Sequence, residues 1–227
     1  MEEIYQRTEL LMGKEKLDKI KKTKICICGI GGVGSYALEA LARIGVGYIT
    51  IIDNDNVSNS NINRQIIATV DNVGNSKVEE AKKRIASINP NIEINAIHDF
   101  IDKDNVSRYI TCDYDYIIDA IDSVDSKVAI IRTCKALNIN VISSMGMANR
   151  LDPSKIKITD ISKTEMCKLA KVMRRRLKAE GITHLKVVFS AEEAIKIEGG
   201  KLGCVSFVPS VAGLYIAAEV VKDIINM

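Results

Sequence analysis

Hydrophobic positions along the chain follow two patterns, short apolar runs and longer segments with a helical period. The apolar runs predict strands at residues 24–28, 48–52, 92–97, 116–120, 140–144, 155–161 and 185–189. Helical spacing predicts helices at residues 35–44, 78–88, 102–110, 125–137, 166–179 and 209–225. A further helical segment at residues 3–20 is divided by Gly13 into two short helices. This alternation of strands and helices predicts an α/β fold, a Rossmann-like, doubly wound and mostly parallel sheet.

The regular alternation weakens after Gly146, which indicates a smaller C-terminal β/α extension. We expect a single domain over residues 1–227, with a nucleotide-binding core at about 24–146 and the extension at about 147–227. Within the extension, the charged and glycine-containing segment at residues 192–203 is expected to be a mobile connection.

A glycine-rich turn joins the first predicted strand to the helix that follows it. The turn has the sequence GIGGVGS and contains Gly29, Gly31, Gly32 and Gly34. Glycine has no Cβ, so the backbone can approach a phosphate closely, and the helix N-terminus offers unpaired N–H groups to the anion. A tight turn between a core strand and a core helix would explain one glycine but not four. The segment therefore predicts a nucleotide site.

Polar residues after the second predicted strand suggest which nucleotide is bound. Asp53 lies 19 residues after Gly34, close to the spacing of a ribose-binding carboxylate, and so far an NAD-dependent dehydrogenase would fit equally well. A long polar run follows, and it leads to Arg64 and then to Lys77. Two cations directed at one end of the sheet suit a triphosphate better than a neutral nicotinamide.

Two aspartates, Asp119 and Asp122, stand at the carboxyl end of the fourth predicted strand. Ligands of open α/β sheets bind outside these strand ends. A carboxylate there can hold Mg²⁺ on the phosphates of a bound nucleotide.

Composition narrows the function classes only slightly. The 32 basic and 29 acidic residues give a net charge of +3, so any contact with nucleic acid requires a local patch. No apolar run approaches the length of a membrane span, and the first residues lack an apolar signal core, so we expect a cytoplasmic protein without a membrane partner. The six cysteines include no C-x-x-C pair and there are only two histidines, which argues against a zinc site.

Taken together, these motifs resemble the adenylate-forming family that includes ubiquitin-activating enzymes and the bacterial activators of thiamin and molybdopterin sulfur carriers. The matching segments are QRTELLMG with Arg7, GIGGVGS, D-x-D-x-V with Asp53 and Asp55, SNINRQ with Asn61, Arg64 and Gln65, Lys77, and DAIDS with Asp122.

The resemblance implies roles for these residues. The glycine loop would cradle the phosphates of ATP, Asp53 would hold the ribose, and Asp122 would hold Mg²⁺. Arg64 and Lys77 would bind the triphosphate and, with Asp122, form the catalytic set. Asp55, Asn61 and Gln65 belong to the same motifs and are predicted to bind the cofactor. Arg7 would reach the ATP phosphates of a partner subunit, which implies a homodimer.

Within this family the chain is similar over most of its length to the tRNA threonylcarbamoyladenosine dehydratase branch, in segments such as DPSKIKITDISKT, MRRRLKAEGI and FVPSVAGL. The branch usually has an Asp-Pro pair after the residues matching Lys163 and Thr164. Here Met166 and Cys167 stand near that position, which leaves the start of the following helix open.

The resemblance implies ATP-dependent activation of a carboxylate as an acyl-adenylate, with tRNA as the substrate in this branch. A solvated helix face and a tRNA contact are equally good explanations for the basic residues of the helix at 166–179. The candidate tRNA contacts are Lys163, Lys171, Arg174, Arg175 and Arg176.

Three other functions stay open at this point. An adenylyltransferase would activate the Gly-Gly tail of a small sulfur-carrier protein, and a sulfur-transfer partner would then be possible. An NAD-dependent oxidoreductase or a non-catalytic nucleotide-binding module would share the glycine turn. Some relatives form thioesters, so Cys204 and Cys167 are candidate reactive thiols, although the apolar context of Cys204 favours a structural one.

Overall fold

The computed structural model describes residues 3–226, which form one seven-stranded sheet with helices on both faces. Met1, Glu2 and Met227, the ends of the predicted domain, lie outside the described residues. The strands are β1 (Lys24–Cys28), β2 (Tyr48–Ile52), β3 (Glu93–Ile97), β4 (Tyr116–Asp119), β5 (Asn140–Ser144), β6 (Ile156–Asp160) and β7 (Lys186–Ser190). The helices are α1 (Gln6–Met12), α2 (Lys14–Lys22), α3 (Gly34–Ile44), α4 (Lys77–Ile88), α5 (Val106–Tyr109), α6 (Val124–Ala136), α7 (Lys168–Ala179) and α8 (Phe207–Asn226).

The strand order across the sheet is β3-β2-β1-β4-β5-β7-β6, and only β6 runs antiparallel to its neighbour. The predicted doubly wound and mostly parallel fold is therefore confirmed. The chain order reverses between β1 and β4, which are hydrogen-bonded neighbours. Such a reversal opens a crevice at the carboxyl ends of the strands, where ligands of this architecture bind.

Each face of the sheet buries its own hydrophobic core. Strand residues such as Ile25 and Ile27 point to the face covered by α3, α4 and α8, whereas Cys26 and Cys28 point to the face covered by α6 and α7. The alternation of strand side chains between faces explains this division. Helices α3 and α8 approach closely at Gly213, where an added Cβ would lie 2.3 Å from the Val33 carbonyl oxygen. No helix within residues 3–226 is long and apolar enough to cross a membrane.

The predicted helix at residues 102–110 is wrong in extent, because α5 begins only at Val106. The Asp102 carboxylate accepts the backbone N–H groups of Asp104 and Asn105 at 2.8 and 3.0 Å, and the Asn105 side chain accepts that of Asp102 at 2.9 Å. These side chains replace the helical hydrogen bonds of the first turn. Asp and Asn compete with helix formation in this way.

The predicted helix at residues 166–179 also begins later, at Lys168. Met166 has a left-handed backbone with φ of 52°, which a right-handed helix excludes. The Cys167 thiol then accepts the Ala170 N–H at 3.5 Å and caps the helix. The start of this helix, left open by the sequence, is thus set by the Met166–Cys167 pair.

The segment after β7, which the sequence predicts to be mobile, is hydrogen-bonded to the loop after β5, and Asn149 forms several of these bonds. The backbone N–H of Asn149 donates to the Gly203 carbonyl, and its own carbonyl accepts the Ile195 N–H, both at 2.8 Å. The side chain of Asn149 accepts the Gly203 N–H at 2.5 Å. Asn149 has a φ of 61°, a conformation that asparagine tolerates better than most residues.

Candidate nucleotide and substrate cavity

A cavity of about 880 Å³ opens at the carboxyl ends of the strands, beside the chain reversal between β1 and β4. Its volume lies within the range of about 300–1,000 Å³ that is typical of ligand pockets. The predicted site residues that line this cavity are Gly29, Gly31, Gly32, Asp53, Asp55, Asn61, Arg64, Gln65, Lys77 and Asp122. The fold therefore brings together motifs that are separated by about 90 residues of sequence.

The glycines of the turn meet different requirements. A Cβ on Gly34 would lie 1.8 Å from the Gly29 carbonyl oxygen, and one on Gly29 would lie 2.8 Å from the backbone of Ala120. Both positions are fixed by packing inside the protein, and Gly34 does not line the cavity. At Gly31 the nearest atom to an added Cβ, the amide nitrogen of Gln65, is 3.9 Å away. Gly31 is thus the glycine whose backbone faces open cavity space.

The Asp53 carboxylate lies beside the glycine turn, at the end of β2. One of its oxygens accepts the Ile30 N–H at 2.6 Å, and the other accepts the Asp55 N–H at 2.8 Å. These bonds fix the orientation of the carboxylate. Each carboxylate oxygen can accept more than one hydrogen bond, so both can still accept hydroxyl groups from a ligand.

The two predicted phosphate-binding cations reach the same cavity from different directions. Lys77, at the start of α4, is only 4% exposed, and its ammonium group lies 2.7 Å from the carboxylate of Asp55. The side-chain stem of Arg64 packs against Gly32, and its guanidinium donates to the Ser60 carbonyl at 2.6 Å. Both cations are therefore held in place in the cavity that the glycine turn also lines.

Asn61 and Gln65 shape the segment that carries Arg64. The Asn61 side chain accepts the Ser58 N–H at 3.0 Å and closes a capping box around a short 3-10 turn. Gln65 is buried, and its side-chain oxygen has no hydrogen-bond partner within residues 3–226. A buried polar atom without a partner is costly, and a ligand donor in the cavity would remove this cost.

The two aspartates after β4 have different surroundings. Asp122 is exposed and lines the cavity, in keeping with a role toward a ligand. Asp119 is fully buried and binds the ammonium group of Lys127 through both carboxylate oxygens, at 3.1 and 3.0 Å. The same ammonium donates to the Ser144 carbonyl at 2.8 Å. Lys127 thereby joins the carboxyl end of β4 to the carboxyl end of β5.

Lys127 was missed by the sequence analysis because a lysine on an amphipathic helix ordinarily lies in solvent. Its position on α6, eight residues after a strand-terminal aspartate, was the only available signal.

The far wall of the cavity contains a second unpredicted cation, Arg150, which is buried. Its guanidinium donates to the carbonyls of Gly146 at 2.8 Å, Ala148 at 3.1 Å and Glu192 at 3.2 Å. It forms no ion pair with any residue between Glu3 and Asn226. Arg150 thus joins the loop after β5 to the segment after β7 and places an uncompensated positive charge in the wall.

Both candidate thiols line the cavity. Cys204 is half-buried, and desolvation raises the pKa of its thiol, although the positive charge of Arg64 acts in the opposite direction. A thiol with a raised pKa stays protonated near neutral pH and is a poor nucleophile. The thiol of Cys167 is buried and caps α7.

The candidate tRNA contacts have different surroundings. Arg174 donates to the Thr164 carbonyl at 2.8 Å and to its hydroxyl, and Arg176 pairs with Asp125 at 2.5 Å. Lys163, Lys171 and Arg175 are exposed, and none of them lines the cavity. Arg7 is exposed on α1 and also lies outside the cavity wall.

These features define an α/β nucleotide-binding protein whose glycine turn lies beside two cations and a strand-terminal carboxylate. Residues 5–227 match the ThiF family, and the chain belongs to it. The family predicted from the sequence motifs is thereby confirmed.

Several proteins similar to this chain carry the name tRNA threonylcarbamoyladenosine dehydratase. The tRNA threonylcarbamoyladenosine dehydratase of Bacillus subtilis is 41% identical over 98% of this chain and 94% of its own length. A crystal structure of the E. coli tRNA N6-threonylcarbamoyladenosine dehydratase, TcdA, in complex with ATP is 38% identical and superposes with a TM-score of 0.92. That match covers 98% of this chain and 93% of the other, and the complex with AMP gives the same TM-score.

Proposed function

We propose that this protein is an ATP-dependent tRNA threonylcarbamoyladenosine dehydratase. The observation that carries the proposal is a cavity lined by the glycine turn together with Arg64 and the buried Lys77, a combination that suits a triphosphate. The near full-length similarity to dehydratases, one of them crystallised with ATP, supports the same conclusion. The whole chain then functions as one ATP-binding domain, whose extension completes the cavity wall.

The reaction proceeds through an acyl-adenylate. A carboxylate oxygen of the threonylcarbamoyl group attacks the α-phosphorus of ATP, and pyrophosphate leaves. An internal nucleophile of the same group then attacks the activated carbonyl, closes a ring and releases AMP. The modified nucleoside loses one water overall. Arg64 and Lys77 stabilise the negative charge that develops on the phosphates, and the enzyme itself need not supply a nucleophile.

Within this mechanism Asp53 binds the ribose, and Asp55 keeps Lys77 oriented through their ion pair. Asn61 and Gln65 shape the segment that carries Arg64. The unpaired side-chain oxygen of Gln65 accepts a hydrogen bond from the nucleotide. Asp122 is the proposed Mg²⁺ ligand. One carboxylate is enough, because Mg²⁺ in nucleotide sites is held largely by phosphates and water.

A homodimer completes the proposed site. Helix α1 buries none of its side chains, and Leu10 and Leu11 are 80% and 85% exposed. Exposed leucines on the helix that carries Arg7 favour a second copy as the covering partner. Arg7 then reaches the nucleotide in the neighbouring subunit.

Subunit complementation tests this arrangement. The Arg7→Ala and Lys77→Ala variants are each expected to lose turnover when purified alone. Mixed dimers of the two contain one site with both residues intact, so mixing restores part of the activity. A mixture as inactive as its components would contradict a role for Arg7 in the partner's site.

Substrate and location follow from the same proposal. The proposed substrate is a tRNA. The proposed location is the cytoplasm, where both ATP and tRNA are available, and the proposal includes no membrane partner. Lys163, Lys171 and Arg175 remain available as outer tRNA contacts. Arg174 and Arg176 are already engaged with other protein groups.

The decisive experiment uses the purified protein, magnesium ATP and tRNA that carries threonylcarbamoyladenosine. After digestion of the tRNA, mass spectrometry of the nucleosides is expected to detect the loss of one water, only when ATP is present. The Lys77→Ala variant and a reaction without ATP are the controls. An unchanged mass, with ATP binding intact, would favour the alternative function, adenylation of a sulfur-carrier protein.

A further inference from the structure

The walls of the cavity differ in charge according to the part of the chain that forms them. Lining residues up to Ser123 include four aspartates and two cations, namely Asp53, Asp55, Asp99, Asp122, Arg64 and Lys77. Lining residues from Ser144 onward include four cations and no acidic side chain. These cations are Arg150, Lys168, Lys196 and Lys201. We call the first set the nucleotide half and the second set the basic half.

The basic half is assembled from three separate segments. Arg150 belongs to the loop after β5, Lys168 begins α7, and Lys196 and Lys201 lie in the segment after β7. Asn149 links two of these segments through its backbone, and the Arg150 guanidinium donates to the Glu192 and Met166 carbonyls, which links all three. The three lysines thus occupy defined positions on one rim, and all three are exposed.

The three lysines are also free of competing partners. None of them forms an ion pair with a residue that the structure describes. The nearby Glu192 is directed elsewhere, because its carboxylate accepts the backbone N–H groups of Leu151 and Asp152 at 2.9–3.1 Å. A cleft lined by charges of one sign focuses the electric field and attracts a ligand of opposite charge.

We infer that the basic half binds the RNA backbone on either side of the nucleotide that enters the cavity. Lys168, Lys196 and Lys201 contact phosphates at the rim, and the buried charge of Arg150 adds to the attraction. This inference rests on the proposed function and assigns the main RNA contact to the rim instead of the outer face of α7. On that outer face Arg176 is neutralised by Asp125, which fits a weaker role.

Two matched triple variants test the inference. The rim variant carries Lys168→Gln, Lys196→Gln and Lys201→Gln. The control carries Lys171→Gln, Arg175→Gln and Lys178→Gln, which remove the same charge from exposed positions of α7 outside the cavity. Affinity for threonylcarbamoyladenosine-containing tRNA is measured over a series of salt concentrations, and ATP affinity is measured in parallel.

Affinity for tRNA falls as the salt concentration rises, so the slope of log affinity against log salt is negative. In the rim variant the magnitude of this slope is expected to fall by about 2, because each lost phosphate contact removes about 0.7. Its KM for tRNA rises, while its ATP affinity stays at the wild-type value. The control variant removes only the weaker outer contacts, so it lowers the magnitude of the slope by clearly less than the rim variant does. An equal or larger loss in the control, or an unchanged slope in the rim variant, would overturn the inference.

The salt series tests the rim assignment and the nucleoside assay tests the dehydratase function, so either hypothesis can be rejected without the other. If the wild-type protein removes water from the nucleoside in the presence of ATP and both variants bind tRNA normally, the rim assignment is wrong and the dehydratase function stands. If the wild-type protein never removes water, the proposed function fails whatever the variants do.

Discussion

The nucleotide half and the basic half of the cavity are built in different ways. The nucleotide half consists mainly of segments that follow strands β1, β2 and β4, and its side chains are oriented by backbone contacts such as the Ile30 N–H on Asp53. The basic half consists of the loop after β5, the start of α7 and the segment after β7, which are linked by Asn149 and Arg150. The first half is thus positioned by the strand ends, whereas the second depends on a few polar side chains that bridge distant segments.

Under the proposed function, this difference would let one cavity bind two unlike ligands. A nucleotide of fixed geometry requires donors and charges at set distances, which strand ends provide. An RNA loop requires positive charge spread along a rim, which long lysine side chains provide. The following predictions test how independent the two halves are.

The largest expected effect is at Lys127, which links the halves through Asp119 and the Ser144 carbonyl. Lys127→Met leaves the buried Asp119 carboxylate without its counter-charge and is expected to cost about 3–5 kcal/mol in the free energy of unfolding. Urea denaturation measures the loss. The double variant Asp119→Asn with Lys127→Met removes both charges and is expected to recover most of it. A single variant as stable as the wild type would show that the halves do not depend on this link.

Lys77→Ala tests the nucleotide half alone. Removal of this buried cation is expected to lower turnover by about 10²–10³-fold, the effect of deleting one preorganised electrostatic contact. Single-turnover measurement of AMP formation reports the change. The control is Lys82→Ala, an exposed lysine on the same helix, which should behave as wild type. Affinity of the Lys77 variant for tRNA should stay unchanged, and a parallel loss of tRNA binding would mean that the halves are coupled.

Asp122→Asn should raise the Mg²⁺ concentration needed for half-maximal turnover by at least about 10–100-fold, since even outer partners of metal ligands have effects of this size. A titration of activity with Mg²⁺ measures the shift. Asp125→Asn is the matched control, because Asp125 is exposed and lies outside the cavity wall. An unchanged Mg²⁺ requirement in the Asp122 variant would remove the metal assignment.

A smaller effect is expected at Arg174, which binds the Thr164 carbonyl at the start of α7. Arg174→Gln should lower the free energy of unfolding by about 1–2 kcal/mol through the lost charged hydrogen bonds. The neighbouring Arg175→Gln should be neutral in the same urea experiment. If Arg174→Gln instead leaves stability intact and weakens tRNA binding, the residue belongs to the RNA surface.

The smallest effect is predicted for Cys204. Its raised pKa keeps the thiol protonated at neutral pH, so Cys204→Ser should keep turnover within about twofold of the wild type. The nucleoside assay measures this directly. A complete loss of activity with intact ATP binding would indicate a thioester route.

The nucleotide half could be predicted from the sequence because its chemistry is local. Asp53 and Asp122 follow apolar strands directly, and the parallel arrangement brings strand ends to one edge. Arg64 and Lys77 follow at short distances along the chain.

The basic half could not be predicted in the same way, because its side chains acquire their roles from distant backbone groups. Arg150 depends on the Glu192 carbonyl, 42 residues away. Outside the basic half, the hydrogen bond from Arg174 to the Thr164 carbonyl was likewise not predicted by the spacing of basic residues. The left-handed backbone of Met166 also delays the start of α7, so this helix is shorter than the hydrophobic periodicity predicted.

The Gly29 carbonyl oxygen leaves no room for a side chain at Gly34, and this affects how related sequences are interpreted. Any side chain at Gly34 would collide with the backbone, with or without a nucleotide in the cavity. A descendant that had lost catalysis would therefore still need this glycine in order to fold. Gly29 and Gly34, at the two ends of the motif, therefore indicate the fold and not the activity. A search for active members should give more weight to Gly31, Lys77 and Asp122.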